Sequence, residues 1–138
     1  MIISLVVYSG SYAAALPTPV ATPAPAAAAP ATTPVPRVVT SGDVTVTPAD
    51  AIIAIDKSTS QSTHIVLLPS NIGKQVSVYD WNGNAATMTF VPNGSDLINN
   101  AATYVLTSTP SAPASATLTP IVPAPGSTGP TGYLAAAA

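Results

Sequence analysis

Gly73-Lys74-Gln75-Val76-Ser77-Val78-Tyr79-Asp80-Trp81-Asn82-Gly83-Asn84-Ala85-Ala86-Thr87-Met88-Thr89-Phe90-Val91 is the stretch that decides how this 138-residue chain folds. Two runs rich in Val, Thr and aromatic residues, 75–80 and 87–91, flank Asn82-Gly83. Asn and Gly tolerate positive φ, which a tight turn between strands requires. No window of the chain carries a helical period, so the stretch reads as strand, turn, strand.

The same grammar repeats outward. Val44-Thr45-Val46-Thr47 alternates with period two, and residues 51–56, 64–69, 103–107 and 115–119 add further runs of Val, Ile, Leu and Thr. Such runs recur about every 8–15 residues, the spacing of a sandwich or barrel. Asn93-Gly94 and residues 69–73 mark more breaks. Asp43, Asp50, Asp56, Asp80 and Asp96 all fall at strand ends or in turns, where a short carboxylate accepts backbone N–H groups. The expectation is an all-β domain over residues 38–121, a small antiparallel sandwich or barrel-like, jelly-roll-like fold. One Phe and one Trp make a thin core, and a domain this small hides a modest fraction of its surface. Self-association would bury more apolar area and cap strand edges. An oligomer is therefore expected, a homotrimer by preference.

Flanking segments complete the chain. Residues 17–36 form a Pro/Ala/Thr tract, in which proline blocks helix and favours polyproline II. Such a tract spans roughly 3.1 Å per residue. Before it lies an apolar run, Ile2, Ile3, Leu5, Val6, Val7 and Tyr8, followed by Tyr12 and Leu16. The run is too short for a transmembrane helix, which needs about 20 residues. No Lys or Arg precedes it, as a secretory signal would have. Residues 1–37 are thus read as a strand-like anchor and arm that grip a partner, with a cleaved signal as the rival reading. Residues 122–138 read as a Pro/Gly/Ala-rich tail. Gly126, Gly129 and Gly132 recur at the collagen period, in a run too short for a triple helix.

Composition narrows the function. Charged residues are 6%, against about 25% in ordinary domains. Arg37, Lys57 and Lys74 do not cluster, which argues against a nucleic-acid partner. A net charge of −2 favours association. The chain has no cysteine, which excludes disulfides. Neither Cys nor Glu exists to build a metal site with the single histidine, His64, so no metal is expected. No cofactor is expected either, and no membrane partner, since the apolar run is too short to span. A lone strand histidine is read as a packing or surface residue rather than a base working with Asp56 or Asp80. Asp50 and Asp56, on one extended strand, would stand roughly 20 Å apart, beyond the roughly 5–9.5 Å that glycoside hydrolysis needs. No residue is assigned a catalytic role, and the protein is expected to be no enzyme. Trp81 with Tyr79 forms a candidate exposed aromatic platform for sugar. The favoured reading buries Trp81 against the sheet or a neighbouring subunit.

Residues 44–118 resemble a module of tailed-bacteriophage virion proteins, above all fibre-like and capsid-attached appendages. The likeness lies in an ordered set of pieces: residues 44–56; His64-Ile65-Val66-Leu67-Leu68-Pro69; residues 73–86 with their Gly-Lys strand, Asp80 and Gly83-Asn84-Ala85; and Asn93-Gly94-Ser95-Asp96-Leu97-Ile98-Asn99-Asn100. The resemblance implies a virion structural role, frequent trimerisation and no active site. The leading expectation is a capsid decoration (cement) or head-fibre protein on the capsid exterior, held through its N-terminal arm by the major capsid protein or another virion protein. The rivals are a tail-fibre or tail-spike component and a secreted carbohydrate-binding module with a Pro/Thr-rich linker.

Overall fold

The computed structural model describes residues 10, 13–21 and 32–138. The chain divides into two units, Met1–Ala31 and Thr32–Ala138. In the first, residues 13–21 are exposed and carry no regular secondary structure. The second holds ten strands: β1 (Arg37–Val39), β2 (Val44–Thr45), β3 (Ile52–Ile55), β4 (Thr63–Val66), β5 (Val76–Asp80), β6 (Thr87–Val91), β7 (Leu97–Ile98), β8 (Tyr104–Thr107), β9 (Ser115–Ile121) and β10 (Gly132–Ala137). A single 3-10 turn lies at Ser70–Ile72.

The all-β expectation holds, but the pairing differs from it. The strands form two mixed sheets, one of order β1-β3-β5-β9-β10-β7 and one of order β2-β4-β6-β8. The chain alternates between them from β1 to β9. Parallel pairing joins β1 to β3, β3 to β5, β2 to β4, β4 to β6 and β7 to β10. The expected antiparallel pairing holds only for β5 with β9, β6 with β8 and β9 with β10. The physical reason lies in the connections. Parallel neighbours need a long crossover, and here a strand of the opposite sheet supplies it. The turn at Asn82-Gly83 thus leads from β5 in the first sheet to β6 in the second, and does not close a hairpin. Ile52 pairs with Ser77 and Thr63 with Met88, an equal sequence step in both sheets.

Alternation along each strand fills the space between the sheets. Val76 and Val78 of β5, Met88 and Phe90 of β6, and Ala116 and Leu118 of β9 are buried. Across the second sheet, Val44, Ile65, Phe90 and Tyr104 stand in one register row. They join Ile53, Ile55, Val78, Leu118 and Ile98 of the first sheet in a single apolar cluster. Fully burying a side chain of this kind contributes roughly 1.5–3 kcal/mol.

Polar side chains fix the crossings. Asp80, at the end of β5, is buried. Its Oδ2 accepts the Ala85 N–H at 2.7 Å and the Ser108 hydroxyl at 2.6 Å. Ser108 Oγ in turn accepts the Ala114 N–H at 2.9 Å, and the Asp80 N–H donates to the Ala114 carbonyl. One side chain therefore joins the loop leaving the first sheet to the loop returning to it. Gly83 fits beside the second loop because it lacks a side chain. A Cβ there would sit 2.2 Å from the Thr109 carbonyl carbon, and its φ is +76°.

Residues 122–138, expected as a tail, return to the sheet. Strand β10 lies between β9 and β7. Gly132 passes so close to Leu97 that a Cβ would lie 2.0 Å from the Leu97 carbonyl oxygen. Tyr133 is buried, and its hydroxyl donates to the Leu68 carbonyl at 2.9 Å. Burial holds the Tyr133 hydroxyl above its ordinary value, with Asp96 pushing the same way.

Two outcomes test this architecture. Asp80→Ala leaves the Ala85 N–H and the Ser108 hydroxyl without their acceptor, and a buried unsatisfied group costs about 1–3 kcal/mol. Urea unfolding is expected to show a loss of at least about 2 kcal/mol, with Asp80→Asn milder because one acceptor oxygen survives. The raised Tyr133 value means that the folded state keeps its proton where the unfolded chain has lost it. Stability is then full below about pH 10 and falls as pH rises past it. Tyr133→Phe is expected to lose about 1 kcal/mol at neutral pH and to show a shallower alkaline fall in its urea midpoint than the wild type. Equal alkaline slopes would show that Tyr133 is not the titrating group.

Candidate functional site

Each of the five aspartates is engaged by the protein's own fold. Asp43 Oδ1 accepts the His64 N–H at 2.8 Å and lies 3.4 Å from His64 Nδ1. That backbone hydrogen bond, with the imidazole adding to it, holds the Asp43 carboxyl below its ordinary value. Asp50 Oδ2 accepts from both the N–H and the hydroxyl of Thr47, while its Oδ1 stands 3.2 Å from Arg37 Nε. Asp96 accepts the Ser70 N–H at 2.7 Å, and Asp56 accepts the Asn82 side-chain amide at 3.0 Å. Asp80 closes the inter-sheet staple. Four of the five thus accept backbone N–H groups at turns, as their sequence positions suggest. His64 is exposed beside Asp43, and the structure does not bring it together with Asp56 or Asp80 in a hydrogen bond. Among the described residues, no group of three His, Cys, Asp or Glu side chains is placed to hold a metal ion.

The surface feature that stands out is a groove on the outer face of the first sheet. Its floor follows from register. Val38, Ala54 and Tyr79 are paired across β1, β3 and β5, so their side chains share one outward row. The small Ala54 between two larger neighbours leaves a depression. Trp81 lies two residues beyond Tyr79 and its N–H donates to the Ile55 carbonyl at 2.8 Å, which extends the ladder past β5. The two aromatic rings therefore sit on the same face, 5.9 Å apart between centroids and tilted by 50°. Pro36 and Asp56 complete the lining of a space of about 240 Å³.

Trp81 is 68% exposed, so within the chain itself it is not buried against the sheet as expected. The reason is its position: it follows the last strand residue on the outward side, where no strand of the second sheet packs. The sequence singled out Tyr79 and Trp81, whose i, i+2 spacing on a strand is the signal for a shared face. It did not single out Pro36, Val38 or Ala54, since the parallel register that brings them there has no local signature. Of the anchor residues, Ile2, Ile3, Leu5, Val6, Val7, Tyr8 and Tyr12 lie outside the described residues. Leu16 is described, and exposed. Among the described residues no helix is long and apolar enough to cross a membrane.

Compared with known proteins, the chain matches no family model, no curated protein and no solved structure.

Proposed function

We propose that this chain is a non-enzymatic virion structural protein: a capsid decoration or head-fibre protein whose β-domain is displayed on the capsid exterior and whose N-terminal segment holds it there. The observation that carries this reading is how the charged side chains are used. Every aspartate is tied to a turn or a neighbouring strand. Arg37 donates to the Thr45 carbonyl, Lys57 to the Ser62 carbonyl and Lys74 to the Pro48 carbonyl. Large apolar side chains reach the surface as well: Val38, Trp81, Val105, Val122 and Leu134 are all exposed. A surface of this kind suits lasting attachment to other protein chains. The resemblance of residues 44–118 to phage appendage modules, read from sequence alone, supports the same setting, and trimerisation of the β-domain belongs to the proposal.

Deletion of residues 1–36 tests it, because every strand among the described residues begins at Arg37 or later. The shortened chain is expected to keep its far-ultraviolet β signal and to lose co-sedimentation with particles that lack the endogenous protein. Undiminished co-sedimentation would remove the arm from the attachment. The full chain is expected at high copy number on purified particles by quantitative gel densitometry, whereas a few copies per particle would favour a tail-fibre role.

A further inference from the structure

We propose that the groove beside Trp81 is a docking site for an uncharged proline-rich segment, and that its occupant is residues 16–20, Leu16-Pro17-Thr18-Pro19-Val20, of a second copy of this chain. This goes beyond the virion reading and does not depend on it.

The groove has the chemistry of a proline site. Two tilted aromatic rings over an apolar floor accept the flat apolar face of a proline ring, and a polyproline segment loses little entropy on binding because it is already extended. Pro36 forms one wall of the groove, so a proline already packs at its edge. Pro36 closes the sequence Thr33-Pro34-Val35-Pro36, and the triplet Thr-Pro-Val occurs again at residues 18–20. Charge agrees as well. The first 36 residues contain no Asp, Glu, Lys or Arg. The groove's one charged lining residue, Asp56, already accepts the Asn82 amide. Size also matters: about 240 Å³ lies below the roughly 300–1,000 Å³ of a typical small-molecule site, and suits one or two residues of a passing segment.

A second copy is taken as the source because the segment presents apolar side chains that an assembly of copies would cover. Leu16 is 92% and Val20 93% exposed. Seating the segment of one copy in the groove of another covers those side chains and Trp81 together. Reciprocal exchange around a closed assembly makes each contact reinforce the rest, so weak individual docking gives firm association.

Trp81 is the only tryptophan, so intrinsic emission reports on the groove alone. The test uses the full chain and a synthetic peptide of residues 13–21. The peptide is expected to give a saturable blue shift of the Trp81 emission, weakened at least about tenfold when Pro17 and Pro19 are both replaced by Ala. The full chain is expected to show the same shift with rising protein concentration, together with larger species in sedimentation velocity. The Pro17→Ala/Pro19→Ala chain and the Trp81→Ala chain, each with unchanged far-ultraviolet circular dichroism, are expected to self-associate less. Three results overturn the proposal: no shift at about 1 mM peptide, an equal response to the Ala-substituted peptide, or a full chain that stays monomeric at every concentration. A shift produced by neutral oligosaccharides and not by the peptide overturns it too, and assigns the groove to sugar.

Discussion

The buried side chain of Asp80 holds together what the rest of this fold requires. A chain that alternates between two sheets must cross the core boundary at every connection, and each crossing exposes backbone groups that no ladder satisfies. Asp80 and Ser108 satisfy several of them at once, joining the loop after β5 to the loop before β9. In a buried setting such a network is costly to break in part, because each orphaned donor keeps its desolvation penalty. The other aspartates repeat the device nearer the surface: Asp50 closes the turn after Thr47, Asp43 ties the loop before β2 to β4, and Asp96 reaches Ser70. A chain with few charges therefore uses them as fasteners, and its core stays aliphatic.

Much of this was legible in the sequence. Seven of the ten strands coincide with runs of Val, Ile, Thr and aromatic residues, and the turn positions of the aspartates gave their hydrogen-bonding role. Three strands were not legible. β1 directly follows the proline tract, β7 has only two residues, and β10 consists of Gly, Tyr, Leu and three Ala. Alanine has low strand propensity, so β10 is set by its neighbours β9 and β7 and by the buried Tyr133. The sense of pairing was hidden for another reason. Period-two alternation marks which face of a strand is buried, but not which strand lies beside it. Asn82-Gly83 suits a hairpin and an inter-sheet turn equally well, and only the long-range contact of Gly83 with Thr109 separates the two.

The groove shows the same division. Tyr79 and Trp81 announce a shared outward face through spacing alone. The depression between them and Val38 exists because Ala54 is small and because β1, β3 and β5 run parallel in register. Site chemistry was thus visible in local sequence, whereas site shape belongs to the topology. Pro36 belongs to both, as the end of a low-complexity tract and as one wall of the groove.

Strand β10 also governs when the protein can fold. β7 finds its sheet partner only in β10, which the ribosome makes more than thirty residues later. During synthesis Leu97 and Ile98 emerge with their edge open, and the first sheet cannot close until residues 132–137 leave the exit tunnel. Closure of the first sheet is therefore gated by β10, the strand that follows β7 by more than thirty residues. A nascent chain of low charge waits for that strand with an aliphatic interior partly uncovered, the state in which chains are most prone to associate wrongly.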